Sequence, residues 1–425
     1  MANHASSLEA QFAKIKTANY TLWILMAVYT FSFLDRQIIN ILAQNIKVDL
    51  DISDTQLGLL TGTYFAFFYA ILGIPLALLA DKFNRVKIIT ACLAIWSAMT
   101  VASGLAANYV QLALARMGVG VGEAGALPSS HSIIADTVPP EKRSSAMAIF
   151  QLGVPAGVLI GYLVGGWVNQ WVGWRWALIL VGAPGLILAA LLYFTVKEPK
   201  RGVFSKEKTK ELSLFEQTIM LLSNPTYIFI GIAATLASMG GYCILAWVPA
   251  LLIREFGIST GMLGTMLSLI IGGGGILGTY MAGLWGDRVA KKSAAGPLWV
   301  CVWITILTAP LLCAGFLMGN LWATMAFFTP AYILFLAWMG PNWAMVQAVS
   351  PDKTRAMASA LILLIINLIG LGLGPLWVGK LSDRFAGAGI ESPLAWALVC
   401  STIVYPLAAL FFALAARSHT KRNQS

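Results

Sequence analysis

Charge is scarce in this chain, and the scarcity limits what the chain can be. Of its 425 residues 11% are charged and 58% hydrophobic, with a mean hydropathy of +0.78, whereas a soluble domain carries about 25% charge. A water-soluble protein this apolar could not cover its own surface. Histidine and cysteine are scarce as well. His4, His131 and His419 are too scattered for a metal site, and Cys92, Cys243, Cys301, Cys313 and Cys400 lie in apolar runs without paired spacing. That pattern excludes a disulfide framework and leaves the cysteines as small core residues. No nucleophile stands beside a base, so nothing points to an enzyme or to a cofactor. Met1 to Lys16 is polar and lacks the apolar core and cleavage site of a signal peptide.

What the chain has instead is long apolar runs. Spans of about 20 residues are what a helix needs to cross a bilayer. The hydropathy places them near 20–44, 56–80, 86–107, 110–135, 144–168, 174–196, 225–252, 261–285, 296–318, 321–348, 356–380 and 393–416. The expectation is an all-α polytopic membrane protein with twelve transmembrane helices. The net charge of +10 is then a matter of topology and not of nucleic acid. With a cytoplasmic N-terminus, Lys47, Arg175, Arg254, Lys380 and Arg384 fall outside and Arg36 and Arg116 inside spans. The other 21 of the 28 Lys and Arg residues fall on the cytoplasmic side, which is the positive-inside bias.

One connection is long. Lys197-Glu198-Pro199-Lys200-Arg201 leads through Lys206, Lys208, Lys210 and Glu211 to Leu212-Ser213-Leu214-Phe215, a solvated linker whose end has the pattern to lie on a membrane surface. It divides the chain into residues 1–200 and 221–425, six spans each, around a central loop at 201–220. The halves repeat. Ala77-Leu78-Leu79-Ala80-Asp81-Lys82-Phe83-Asn84-Arg85 follows span two, and Gly283-Leu284-Trp285-Gly286-Asp287-Arg288-Val289-Ala290-Lys291 follows span eight. Pro140-Glu141-Lys142-Arg143 enters span five, and Pro351-Asp352-Lys353-Thr354-Arg355 enters span eleven. Two correspondences offset by about 206–212 residues indicate a duplication, a known transporter plan with substrate bound at mid-membrane between the halves.

The charges that matter most are the few inside spans. Asp35, Arg36, Arg116 and Glu123 are all in the first half and sum to zero. A charge in hydrocarbon costs about 3 kcal/mol on insertion scales, so each needs a partner or a wet cavity. Arg116 and Glu123 share one helix face about 10 Å apart along the axis. Asp35 on the opposed helix falls at a depth between them. Asp35 with Arg116, and Glu123 with Arg36, are both open pairings. Intramembrane carboxylates commonly relay protons, so Asp35 and Glu123 are the expected proton carriers. Glu123, with no adjacent Arg, is the easier to protonate. Arg36 and Arg116 are expected to hold an anionic head group in competition with the carboxylates. The second half supplies only uncharged candidates for substrate contact, Tyr242, Trp338, Asn342 and Asn367, joined by Gln151 from span five. A charged half facing an apolar, aromatic one suits an amphipathic substrate.

Other features read more simply. Gly153, Gly157, Gly161 and Gly165 make a small-residue groove on span five. Gly272 to Gly275 weakens span eight, Pro341 bends span ten, and His131 is a packed polar residue. Gly374 to Lys380 imitates a phosphate loop but lacks Ser or Thr at Leu381. With no nucleotide site, the energy must come from an ion gradient. Asp81, Arg85, Asp136, Arg143, Asp287, Arg288 and Arg355 cluster at the cytoplasmic ends of spans. Asp81 and Asp287 suit the N-terminal ends of spans eleven and five, a cytoplasmic latch of carboxylates on helix dipoles.

The Ala77–Arg85 and Gly283–Lys291 stretches resemble the signature loops of the major facilitator superfamily, with Ala77 and Asn84 where glycine is usual. Phe33-Leu34-Asp35-Arg36, Arg116-Met117-Gly118-Val119-Gly120-Val121-Gly122-Glu123-Ala124, Pro128 and Ile134-Ala135-Asp136 resemble its spinster-like subfamily. That resemblance implies two pseudo-symmetric six-helix bundles and alternating access. It implies the same proton-coupling carboxylates, in a bacterial relative of animal members associated with sphingosine-1-phosphate and lysophospholipid export. Gln151 stands where those members are expected to carry an aromatic residue. The expected protein is therefore a proton-coupled secondary transporter of an amphipathic anionic lipid, a monomer in the inner membrane with both termini cytoplasmic. An organic-anion or drug transporter on the same fold is the alternative. A lipid scramblase or membrane receptor is the alternative from another class.

Overall fold

In hydrocarbon every backbone N–H and C=O must find its partner within the chain, and the helix is the local solution. The computed structural model describes residues 2–139, 142–201 and 213–424, and among them helices account for all regular structure, with no strand. Eleven described helices are long and apolar enough to cross a membrane: Ala18–Leu50, Asp54–Ala80, Arg85–Gly104, Ser145–Val172, Trp174–Thr195, Pro225–Phe256, Thr260–Ala290, Gly296–Leu317, Leu321–Val349, Met357–Gly387 and Pro393–Lys421. These are spans one to three and five to twelve. Spans one and eleven run further than the hydropathy indicated, to Leu50 and Gly387.

Span four departs from a single helix. It is built from Tyr109–Glu123 and Ala126–Thr137. Pro128 is the cause: it has no N–H to give the Ala124 carbonyl, and its ring crowds that carbonyl. The break lies immediately after Glu123. Span ten is interrupted in the same way, since Pro341 cannot donate to Ala337 and the helix divides into Leu321–Ala337 and Met339–Val349. Span eight carries a π-helical turn at Ser268–Gly273 that overlaps the start of its glycine run. Span two carries a matching π turn at Leu59–Thr63 and span eleven one at Ile366–Leu371. The turns in spans two and eight sit at equivalent places in the sequence repeat.

Two compact units are present. The first takes in described residues up to 38, 68–161 and 172–201, and the second 39–67, 162–171 and 213 onward. In the first, span three packs along spans four and six. Span five lies close on span one: a Cβ at Gly153, Gly157 or Gly161 would meet span-one backbone at 3.0, 2.5 and 3.1 Å. The groove expected of Gly153, Gly157 and Gly161 is thus filled by span one, and within the second unit Gly166 makes a close approach to Thr260.

A core of the second unit is formed mainly by spans seven, nine, ten, eleven and twelve around buried Trp338, Phe412, Ala234, Cys301 and Ile362. The far ends of spans one, two and five belong to this unit because small residues allow it. A Cβ at Gly58 would sit 2.6 Å from the Pro375 carbonyl oxygen, and one at Gly264 would sit 2.3 Å from that of Tyr162. The compact units therefore exchange helix ends across the two sequence halves.

Gly157→Ala should destabilise the protein by about 1–3 kcal/mol, because the new methyl meets the Thr30 carbonyl and the Leu34 nitrogen, backbone that cannot swing aside. Gly73→Ala, where nothing lies within 4 Å, should raise stability by up to about 1 kcal/mol through helix propensity. Thermal unfolding of the purified variants checks both.

Candidate functional site

The four intramembrane charges form two crossed ion pairs in the first unit. Arg36 Nε donates to Glu123 Oε2 at 2.7 Å, and Arg116 Nη1 approaches Asp35 Oδ1 at 3.3 Å. Both pairings that depth allowed are therefore made at once. Hydroxyls complete the shell. Ser32 donates to Glu123 Oε2 at 2.7 Å, and the Thr100 hydroxyl bonds to Asp35 Oδ2. Neither hydroxyl stands out in the sequence, since Ser and Thr are common in spans; only their depth beside the charges would have marked them.

The pairs differ in access. Asp35 and Arg116 are sealed, with side chains 3% and 1% exposed, while the Arg36 side chain is 16% exposed. Arg36 also lies over two rings, 5.2 Å from the Phe33 centroid and 4.8 Å from that of Tyr69, an arrangement that favours a cation. It opens on a small pocket whose lining includes the polar Ser32, Glu123 and Ser130 and the aromatic Tyr29, Tyr69 and Phe150. Tyr29 and Phe150 are stacked at 4.5 Å, and His131 packs edge-on against Phe150 at 5.4 Å. Glu123 Oε1 is buried in this setting with no hydrogen-bond partner, as is Arg116 Nε. An acceptor oxygen without a donor is where a proton or a substrate donor gains most.

The other expected substrate contacts are distributed differently. Gln151 is exposed at the end of helix Arg143–Gln151. Tyr242 is half-buried against the core of the second unit. Trp338 is buried within that core, its ring 6.2 Å from Phe412, which makes it a packing residue in this arrangement. Asn367, in the π turn of span eleven, donates to the Leu363 carbonyl of the helix that precedes it. Asn342 is fully buried with neither amide atom hydrogen-bonded. The structure does not gather these residues with the four charges in one described pocket.

Of the expected cytoplasmic cluster, Arg85, Asp136 and Arg143 come together. Arg85 pairs with Asp136 and, at 2.7 Å, with Glu198, and it reaches Ser132 and the Pro199 carbonyl. Glu198 also takes the Val86 N–H at 3.0 Å, capping span three. Arg143 donates to the Ala135 and Val138 carbonyls. Arg355 donates to the Gln347 carbonyl, and Asp287 and Arg288 are exposed. The side chain of Asp81 lies outside the described residues.

A further cluster was not anticipated, because its members read as loop charges at span ends. Asp54 is buried in the second unit and accepts from Lys47 at 2.6 Å, from both terminal nitrogens of Arg254 at 2.7 and 2.9 Å, and from Ser382 at 2.6 Å. Asp383 takes the N–H groups of Asp54 and Thr55, the first turn of span two, at 3.0 and 2.8 Å. Arg254 Nε is held by Gln44 at 2.6 Å. Four spans, one, two, seven and eleven, are tied at one point.

Comparison with known proteins agrees with this architecture. The Major Facilitator Superfamily profile matches residues 25–375. An MFS-type efflux pump of Mycolicibacterium smegmatis is 31% identical over 364 residues, 85% of this chain and 83% of that protein. A sphingosine-1-phosphate transporter, SPNS2, of Xenopus tropicalis is 28% identical over 423 residues, 92% and 80% of the two chains. A bacterial homologue of the human lysosomal transporter Spinster, solved in an inward-facing, unoccupied conformation, superposes with a TM-score of 0.86 at 30% identity, covering 95% of this chain and 98% of that one.

The sealed pair is testable by a double-mutant cycle. Arg116→Gln alone leaves Asp35 buried without its cation and should cost about 3–5 kcal/mol, whereas adding Asp35→Asn should restore part of that loss. Thermal unfolding of the two single variants and the double variant gives the coupling.

Proposed function

The chain belongs to the Major Facilitator Superfamily and is a spinster-like membrane transporter, not an enzyme, and from that premise we propose that it is a proton-coupled secondary transporter of amphipathic anions. The observation that carries this reading is Glu123: one oxygen is paired with Arg36 and the other is buried without a donor, at a pocket lined by both polar and aromatic side chains. Protonation of Glu123 removes the anion that holds Arg36, and a phosphate or carboxylate head group then takes its place by a charge-assisted bond. Asp35–Arg116, sealed from the pocket, keeps the neighbouring helices in register and carries the second proton site. The stacked Tyr29 and Phe150 offer an apolar wall to the substrate tail.

Lysophospholipids and sphingoid phosphates fit this description, and the SPNS2 likeness supports a lipid of that kind. A drug or organic-anion substrate on the same fold is the second reading, supported by the likeness to an MFS-type efflux pump. The reading also takes the chain as a monomer in the inner membrane with both termini cytoplasmic, its halves 1–200 and 221–425 alternating access. In that orientation the Asp54–Arg254 cluster is the outer latch, and Asp81, Arg85, Asp136 and the Asp287 loop make the inner one.

In proteoliposomes Glu123→Gln and Asp35→Asn should abolish pH-gradient-driven flux of a lysolipid, measured on protein whose folding is checked by thermal unfolding; unchanged coupling in both variants defeats the proposal. Lipid movement that ignores pH in the wild-type chain would favour a scramblase instead. Latch variants should move the two sides oppositely. Arg254→Gln should raise outer-side labelling of single cysteines, and Asp81→Ala should raise inner-side labelling. Labelling that does not change in either variant would remove the latches from the mechanism.

A further inference from the structure

The connection between spans six and seven ends in a helix that the transport chemistry does not use. Leu214–Leu222 begins with a capping box: the Ser213 hydroxyl accepts the Glu216 N–H at 3.2 Å, and Glu216 accepts the Ser213 N–H at 2.8 Å. That bond holds the exposed Glu216 carboxyl below its usual range. The helix is thus set up by its own sequence, and it packs on one side only. Leu221 is buried in the same core as Tyr227, Val346 and Ala358. On the other side Phe215, Ile219 and Leu222 are 74%, 49% and 54% exposed. Spaced i, i+4 and i+7, they form one continuous apolar stripe.

What covers the stripe follows from where the helix stops. Asn224 caps span seven, which starts at Pro225, so Leu222 stands at the level where that span enters hydrocarbon. The helix rests against the turn Asp352–Thr354 and the start of the helix Arg355–Ile365, where Lys353 and Arg355 are exposed. An apolar stripe beside basic side chains at a membrane boundary is the pattern of an interfacial helix on an acidic lipid surface. We propose that Leu214–Leu222 lies in the headgroup layer with Phe215, Ile219 and Leu222 toward the acyl chains, and that acidic phospholipid is the partner of Lys353 and Arg355. The bilayer at this point then bears directly on the entrance to span eleven.

The test uses the full chain in vesicles, with Cys313 and Cys400 replaced by serine and a nitroxide placed in turn by Phe215→Cys, Ile219→Cys, Leu222→Cys and Glu216→Cys. Collision with oxygen should exceed collision with a water-soluble nickel chelate at the three stripe positions, and the order should reverse at Glu216. Nickel excess on the stripe would overturn the proposal by placing it in water. Exclusion of both probes would overturn it by placing protein there, a second copy or another segment of this chain. Adding phosphatidylglycerol to phosphatidylcholine vesicles should increase the oxygen preference, with occupancy gaining about fivefold per basic side chain, and Lys353→Gln with Arg355→Gln should cancel the gain. Identical behaviour in neutral and acidic vesicles would overturn the acidic-lipid partner.

Discussion

Two carboxylate–guanidinium pairs held away from water are the constraint to which the rest of this structure answers. Each charge alone would cost several kcal/mol in hydrocarbon, and even a well-made buried pair adds little stability over apolar packing of the same volume. Their presence has to be explained by what they do. The arrangement is economical in charge, since the four groups sum to zero, and it is crossed: adjacent Asp35 and Arg36 on span one engage Arg116 and Glu123, seven residues apart on span four. Neither helix can slide on the other without breaking both bonds.

The local irregularities follow from the same site. Pro128 interrupts span four directly after Glu123, so the chain around that carboxylate is not locked into a continuous helix ladder. Span one, by contrast, is pressed by Gly153, Gly157 and Gly161 of span five at backbone-contact distance. The Arg is thus presented by a helix held closely from behind, and its carboxylate by a helix that ends there. Arg36 also lies over the rings of Phe33 and Tyr69, contacts that favour a cation beside its ion pair.

Much of this was legible in the sequence. Hydropathy gave the spans, because hydrocarbon leaves a helix no alternative, and four charges in apolar runs marked the site, because each had to find a partner. Depth along opposed helices allowed two pairings and could not choose, and the geometry uses both. What escaped notice did so for physical reasons. Asp54, Lys47 and Arg254 sit at span ends, where charges are ordinarily solvated and uninformative; only the fold brings Ser382 and the first turn of span two to the same place. Trp338 carried an aromatic signal that fits a cavity wall as well as a core, and burial against Phe412 decided for the core. The span four break was readable from Pro128 in hindsight, but twenty-six apolar-rich residues hid two short helices.

Span one connects these observations. It carries Asp35 and Arg36 near its middle, and Gln44 and Lys47, which hold Arg254 and Asp54, near its end. Among the helices that pass from one compact unit to the other it is the regular one: span two has a π turn at Leu59–Thr63, and span five is irregular at Leu152. Span one is a single helix through Leu50. Asp35 and Arg36, which make the crossed ion pairs, and Gln44 and Lys47, which hold Arg254 and Asp54, thus stand on one unbroken helix, the element that the charges of both clusters share.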